Sequence, residues 1–402
     1  MVLDSATRRN VVAYFFAFLM NESASQILAV AVGWTVYGIH HRPFDLGLVG
    51  LVMFVPSLLF VFVAGHAVDR YDRKRIVVWG AIGVSVCAFV LAAVAFAGAR
   101  SLTLMLGILF ALGTVRAFGS PAERTVLVNI VDTRDYMRVQ ARYASAREIA
   151  VIAAPALGGA LVAVSDVAAF VASGILTLLA VAGFSILRLR KTVRPPGTAI
   201  TAISALDGVR FIRSKPIVLG AISLDLFAVM FGGAAALLPI YADQILHVGA
   251  LGFGMLRSSS GLGASVMAIA LSRWTPNRRV GKTMLTAVAG YGVAIVVFAL
   301  SRTLWLSIVA LAATGALDMI SVVIRRGLVA LNTPDEMRGR VSSVESLFVG
   351  ASSQLGSFES GVAAQLLGPV LGVAAGGAAT LGIVAIWAWA FPALRKSNRL
   401  AD

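Results

Sequence analysis

Residues 65–75 read GHAVDRYDRKR, a short basic stretch at the junction of two long apolar runs, 46–68 and 77–97. Each run has about the 20 apolar residues that an α-helix needs to cross a bilayer. Lysine and arginine between two crossings favour the cytoplasmic side of the membrane. The stretch therefore predicts a cytoplasmic turn between two transmembrane helices.

The same alternation of apolar runs and short polar connections extends along the whole chain. Of its 402 residues, 59% are hydrophobic and only 13% are charged, against about 25% charged residues in ordinary soluble domains. This composition excludes a water-soluble particle and predicts an all-α membrane protein with twelve transmembrane helices. The predicted helices are 11–39, 46–68, 77–97, 102–130, 139–164, 167–187, 217–245, 250–271, 283–300, 304–331, 341–366 and 368–391.

The basic residues predict the orientation of the helices. The odd-numbered connections hold only Arg42, Arg100 and Arg302, whereas most of the other basic residues lie in the even-numbered connections and at the two ends. Because basic loops stay on the inside, we predict that both termini are cytoplasmic. The net charge of +15 thus reflects topology and not a nucleic-acid-binding face.

The longest connection divides the chain into halves. Its segment 199–215 places apolar residues largely on one helical face, which predicts an amphipathic helix at the cytoplasmic interface. We predict two pseudo-symmetric six-helix bundles, 1–190 and 217–402, joined by a linker at 191–216. A pattern that recurs 200 positions later supports this division: Thr133, Asp135, Met137 and Arg138 become Thr333, Asp335, Met337 and Arg338.

Several ionisable side chains fall inside the apolar runs, where a charge at the bilayer centre costs about 3 kcal/mol. Glu22 lies near the middle of helix 1 beside Asn21, and Gln26 follows one turn later on the same face. Such residues either pair as interhelical ion pairs or line a polar cavity. We favour a cavity lining for this group, which also includes Arg116, Asp225, Asp318 and, in second rank, Glu359.

Arg325 and Arg326 lie nearer the cytoplasmic end of the same helix as Asp318. For these two arginines we favour pairing within the bundle. A carboxyl group in a cavity gains a proton through burial and loses it beside an arginine, so conformational change can switch its charge. Glu22 and Asp318 are the first candidates for such a coupling acid, with Arg116 as its modulator.

The spacing G-x-x-x-D-R-x-x-R-[KR] in residues 65–75 resembles the signature loop of the major facilitator superfamily. This resemblance implies contacts that close the cytoplasmic end of a central cavity, with a glycine that lets another backbone approach closely. Alternatively, the arginines only mark the cytoplasmic side. The predicted gate residues are Gly65, Asp69, Arg70 and Arg73.

Three further stretches, 224–233, 333–341 and 355–361, are similar to the exporter subfamily that includes enterobactin exporters and macrolide efflux pumps. The resemblance implies a secondary active transporter that exports a siderophore or drug-like molecule from the cytoplasm. Export would be proton-coupled and would work by alternating access across a bacterial inner membrane. The same fold also allows an uptake carrier, a lysolipid flippase or a non-transporting membrane sensor.

Two helices carry additional family motifs. Arg116 resembles the buried arginine of the proton-linked motif in helix 4. Residues 154–159, APALGG, resemble the antiporter motif of helix 5, in which Pro155 would kink the helix and Gly158 and Gly159 would permit close packing. An ordinary kinked helix without a coupling role explains this stretch equally well.

No catalytic set, nucleotide loop or cofactor fingerprint occurs in a plausible context, so we expect no enzyme activity and no cofactor. The four histidines and the single cysteine, Cys87, have no metal-ligand spacing, and we expect no metal site. The expected partners are a small-molecule substrate, protons and the lipid bilayer, without nucleic acid. We expect the protein to be a monomer.

Overall fold

The computed structural model describes residues 5–131, 133–188, 202–273 and 278–398. Within these ranges the helices group into two compact units. The first unit runs to His40 and resumes at Val52, and the second holds His41–Leu51 together with the chain from residue 202 onward. Part of the predicted linker, 191–201, lies outside the described residues.

The first unit is built from long helices, several of which start at a polar capping side chain. The carboxylate of Asp72 accepts a hydrogen bond from the Lys74 N–H at 2.8 Å, and Ser165 accepts one from Val167 at 3.2 Å. Such N-caps satisfy amide groups that have no partner inside a helix. The helices are α1 Ser5–His40, α2 Pro43–Arg70, α3 Arg73–Phe96, α4 Leu102–Val126, α5 Thr133–Val164 and α6 Asp166–Ile186.

Aromatic rings and small residues pack α1 against its neighbours. The rings of Phe18 and Tyr143 lie 4.1 Å apart, and Tyr14 is fully buried in the same core. A Cβ on Gly158 of the helix-5 motif would lie 3.2 Å from the Ile27 Cα, so this glycine allows α5 to approach α1 closely.

The second unit contains the remaining helices, interrupted by short turns. After α8, a 3₁₀ turn at Ala234–Leu237 and a π-turn at Tyr241–Ile245 flank a three-residue helix. The helices are α7 Ala202–Ser214, α8 Pro216–Phe231, α9 Leu238–Ile240, α10 Gly249–Arg273, α11 Val280–Leu300, α12 Leu304–Leu331, α13 Asp335–Leu367, α14 Pro369–Ala390 and α15 Pro392–Lys396.

The break after α8 corrects the prediction of one continuous helix over 217–245. Gly232 and Gly233 interrupt the helix, since glycine readily leaves the helical conformation. The freed carbonyl groups are satisfied by side chains. The Tyr291 hydroxyl donates to the Gly232 carbonyl at 2.9 Å, and the Ser360 hydroxyl donates to the Gly233 carbonyl at 2.9 Å. These bonds explain how a broken helix is tolerated in a membrane.

α10 and α12 approach each other through their backbones. A Cβ on Gly263 of α10 would collide with the Ala312 carbonyl oxygen of α12, and one on Gly315 of α12 would collide with the Ser260 carbonyl oxygen. Each helix thus supplies a glycine where the other supplies a backbone oxygen. Contacts of this kind hold membrane helices together through close packing.

The amphipathic helix predicted over 199–215 is present as α7. Its residues Val209 and Ile212 pack against Val341 and Val344 of α13. The Arg340 guanidinium also donates to the Asp207 carboxylate at 3.1 Å. Part of the apolar face therefore packs on the protein, while Leu206 of the same face stays exposed.

Large apolar side chains face outward along the helices. Trp79, Trp305 and Trp389 expose 69%, 74% and 83% of their surface. Within the described residues, ten helices are long and apolar enough to cross a membrane, with Pro216–Ile245 counted as one span. α10 and α13 are similarly long but carry more polar residues, so the full count of twelve crossings stays a prediction.

Candidate functional site

A polar cavity of about 200 Å³ lies inside the first unit, between α1, α3 and α4. Its apolar wall includes residues of α3 and Phe184 of α6. Two helices supply the polar side chains of the cavity, three from α1 and three from α4. These six residues are Asn21, Glu22, Ser25, Arg116, Ser120 and Glu123. We call them the α1–α4 cluster.

Small residues set the spacing of the helices around this cavity. A Cβ on Gly80 of α3 would lie 3.2 Å from the Gly119 Cα of α4, and one on Gly83 would lie 2.9 Å from Val115. The α3–α4 crossing is therefore tight one turn beyond Arg116. This packing fixes the height at which Arg116 lines the cavity.

Hydrogen bonds connect the α1–α4 cluster in pairs. The Gln26 amide, one turn from Glu22 on the same helix, donates to Glu22 at 3.1 Å. The Asn21 amide donates to a Glu123 carboxylate oxygen at 3.2 Å, and Arg116 donates to the Ser25 hydroxyl at 3.3 Å. Both carboxylates interact electrostatically with Arg116. Arg116 therefore lies close to both acids of the cluster.

Glu123 is a cluster member that we did not predict. It lies seven residues after Arg116, two turns along the same face of α4. The second half repeats this spacing with the charges reversed, since Asp318 precedes Arg325 by seven residues on α12. The spacing was a usable signal for Glu123, because an acid one or two turns from an intramembrane arginine is a natural partner.

A second charged cluster lies inside the second unit, on α8, α12 and α13. The Arg325 guanidinium pairs with Asp225 of α8 at 3.4 Å and with Glu345 of α13. Only 4% of the Arg325 and Asp225 side chains is exposed. Pairing within the bundle was the predicted role of Arg325, but Glu345 was missed. Arg326, the next residue, is exposed.

A cavity of about 10 Å³ adjoins this cluster, which is roughly the room that one water molecule needs. Asp225, Asp318, Tyr291 and Ser321 line it. The Ser321 hydroxyl is buried and makes no hydrogen bond within the described part of the chain. Together with Arg325 and Glu345, these four residues form what we call the α8–α12 cluster.

The α8–α12 cluster has more acids than bases. Asp225, Asp318 and Glu345 face one buried guanidinium, that of Arg325. The exposed Arg326 also acts electrostatically on Asp225 and Asp318. With every group ionised, these residues would together carry one uncompensated negative charge. Buried charges are normally paired. An additional cation or proton is therefore needed to neutralise the cluster.

The remaining predicted site residues lie outside these two clusters. Glu359 is half-buried on α13, where it lines neither cavity. Pro155 and Gly159 are buried within α5. Among the described residues, no group of three or more histidine, cysteine or acidic side chains could hold a metal ion.

The predicted gate spans the turn between α2 and α3. Arg70 is the last residue of α2, and Arg73 begins α3 and donates to Asn129 at 3.4 Å. The close backbone approach expected at Gly65 is wrong for this structure, because no described heavy atom lies within 4 Å of the position of its Cβ. The side chain of Asp69 lies outside the described residues.

Charged clusters inside membrane-length helices are typical of transport pathways, because intramembrane charge is retained where it serves an ion or a substrate. The architecture is that of a multi-pass membrane transporter. Residues 14–357 match the Major Facilitator Superfamily, and the chain belongs to that family. The resemblance seen in residues 65–75 is thereby confirmed.

Similar proteins support the same assignment. Enterobactin exporter EntS of Citrobacter koseri is 26% identical over 341 residues, covering 83% of this chain and 80% of the relative. EntS of Shigella boydii is 26% identical over 376 residues, covering 91% and 88%.

Solved structures match the fold at low identity. A point mutant of the nucleoside transporter NupG superposes with a TM-score of 0.75 at 11% identity and covers 96% of this chain and 99% of its own. A bacterial homologue of the human lysosomal transporter Spinster gives 0.75 at 13% identity, covering 98% and 97%.

Proposed function

We propose that the chain is a secondary active transporter that exports a siderophore or drug-like small molecule across a bacterial inner membrane. The observation that carries the proposal is the group of three carboxylates around the buried Arg325 in the α8–α12 cluster. A buried carboxylate without its own cation is neutralised most simply by a proton. Exchange of that proton on opposite sides of the membrane would supply the driving force for alternating access.

Within this proposal, Glu22 and Asp318 are the coupling acids and Arg116 modulates the first of them. Glu22 and Glu123 both lie near Arg116, and Asp318 lines the small cavity beside Asp225, which is the residue that pairs with Arg325. Asn21, Gln26 and Asp225 position these acids. Glu359 remains a second-rank member of the proton pathway.

Export and substrate class rest on similarity to the enterobactin exporters and on the three matching stretches named above. The orientation with both termini in the cytoplasm rests on the distribution of basic residues. A monomeric transporter is consistent with the fact that one chain contains both helical units.

Transport of enterobactin by inverted inner-membrane vesicles tests the proposal. With an acidified interior, vesicles containing the protein should accumulate enterobactin above the external concentration, and an uncoupler should release it. A tag at the carboxy terminus should be protease-accessible in these vesicles. Accumulation by right-side-out vesicles instead would identify an uptake carrier, and lack of gradient-driven movement in both would contradict the proposal.

We further propose that Gly65, Asp69, Arg70 and Arg73 form a cytoplasmic gate. The Asp69→Asn variant should insert normally but transport at least about tenfold more slowly, because contacts made in only one state set the balance between states. Cysteine labelling of an introduced cytoplasmic site should show a shifted balance between inward-open and outward-open forms. Asp72→Asn is the matched control, since Asp72 caps α3.

The control variant should lose some stability while transporting at close to the parent rate. Unchanged transport by a well-expressed Asp69→Asn protein would refute the gate. Equal losses in the two variants would also count against it, because they would indicate a general disturbance of the turn.

A further inference from the structure

Arg257 is an intramembrane arginine that belongs to neither charged cluster. It lies on α10, eight residues beyond Gly249 and therefore about 12 Å along the helix axis from that end. An arginine at this depth is retained where an anion or a water-filled space compensates its charge. The sequence offered a signal for it, because Arg257 interrupts the apolar run 250–271.

Arg257 has no partner in the described part of the chain. No carboxylate there pairs with its guanidinium. The hydroxyl groups of the next two residues bond to their own helix, since Ser258 donates to the Gly254 carbonyl at 3.0 Å and Ser259 donates to the Met255 carbonyl at 2.7 Å. Arg116 and Arg325, by contrast, both have hydrogen-bonding partners.

The Arg257 side chain lies on the side of α10 away from its exposed, lipid-facing residues. Successive residues of an α-helix are rotated by about 100°, so Arg257 lies about 140° from the centre of the exposed apolar stripe of α10. Its side chain nevertheless remains partly accessible. The guanidinium is thus presented on the interior side of the helix. The exposed stripe consists of Leu251, Met255, Leu262, Val266 and Ile269.

The close backbone crossing with α12 lies beside Arg257 on α10, not at the position of Arg257 itself. Ser260 and Gly263 form the crossing with α12 and lie to one side of Arg257 on the helical wheel. A guanidinium offers several N–H donors in a planar arrangement that matches the oxygen atoms of carboxylates and phosphates.

We propose that Arg257 binds an anionic oxygen group, a carboxylate or phosphate, on the transported molecule. The proposal rests on the proposed transport function and adds a requirement for negative charge on the substrate. A lipid phosphate is not the expected source, because it would have to reach Arg257 from the membrane surface and around the helix. Arg257 then selects among substrates through charge.

Two dyes with the same fused-ring scaffold and opposite charge test the proposal: fluorescein, an anion, and rhodamine 123, a cation whose carboxyl group is esterified. Binding is measured by fluorescence anisotropy with the full-length protein in phosphatidylcholine nanodiscs. The parent should bind fluorescein. Arg257→Gln should bind it about ten- to a hundredfold more weakly, as expected for loss of a charged hydrogen bond, while rhodamine 123 binding is unchanged or tighter. Arg257→Lys should retain part of the fluorescein affinity.

Thermal unfolding distinguishes a ligand-binding arginine from a structural one. Arg257→Gln should unfold at or above the parent temperature, because no carboxylate loses its partner. Arg325→Gln is the matched control and should unfold at a lower temperature. A destabilised Arg257→Gln protein, or one that binds fluorescein like the parent, overturns the proposal.

Two further outcomes also overturn it. One is a parent protein that does not prefer fluorescein, and the other is displacement of fluorescein by phosphatidylglycerol in the nanodisc, which would assign the site to a lipid headgroup. The binding assay requires no transport. A protein that binds fluorescein through Arg257 but moves no substrate therefore contradicts the proposed function alone.

Discussion

Asparagine in place of Asp318, or glutamine in place of Glu22, will abolish accumulation of substrate against its gradient while leaving the protein folded and inserted. Both substitutions keep the shape of the side chain and most of its hydrogen bonding but remove the titrating group. The amide that replaces the coupling acid neither binds nor releases a proton. The proton gradient can then no longer drive transport. Downhill exchange of substrate needs no proton cycle and should continue.

Proteoliposomes containing each variant allow both activities to be measured on one preparation. Asp335→Asn is the matched control, because the Asp335 side chain is 83% exposed and pairs with Arg338 at the surface. It should accumulate substrate like the parent. If Glu22→Gln and Asp318→Asn still accumulate substrate at the parent rate, neither is a coupling acid, and Asp225 and Glu359 become the candidates.

Methionine in place of Arg325 will destabilise the protein by about 3–5 kcal/mol, the usual cost of leaving a buried ion pair without one partner. Asp225 and Glu345 would both lose their guanidinium inside the second unit. Arg326→Met is the matched control, because it changes the exposed neighbouring residue on the same helix. The measurement is the unfolding temperature in detergent.

Neutral partners should restore much of the lost stability. Adding Asp225→Asn and Glu345→Gln to Arg325→Met removes the stranded charges while keeping similar side-chain volumes. The triple variant should therefore unfold at a higher temperature than Arg325→Met alone. If Arg325→Met and Arg326→Met have equal stability, the buried pairs do not support the fold.

Hydropathy predicted the helices because membrane length and apolarity are properties of each segment taken alone. It could not predict the break after α8, since glycine is close to neutral in hydropathy and Gly232 and Gly233 do not interrupt the apolar run. The helix can break at these glycines because Tyr291 and Ser360, from other helices, donate hydrogen bonds to the freed carbonyl groups. Similarly, the sequence predicted an apolar face on α7, but it did not indicate that part of this face packs against α13.

The candidate clusters were predictable where partners share a helix. Glu22 and Gln26 are one turn apart, and their hydrogen bond follows from helical geometry. Glu345 pairs with Arg325 from another helix, and neither residue's position indicates the other in sequence. At Gly65, the sequence motif predicted that another backbone would approach closely, and this structure does not contain that contact.

The glycine crossing between α10 and α12 has a thermodynamic consequence. Backbone contacts at Gly263 and Gly315 leave no flexible side chain between the two helices, so the pair can move as one rigid body. α10 carries Arg257 and α12 carries Asp318. A displacement that changes the surroundings of one changes those of the other. Substrate charge and proton occupancy would then be reciprocally linked, each altering the affinity for the other by the same factor.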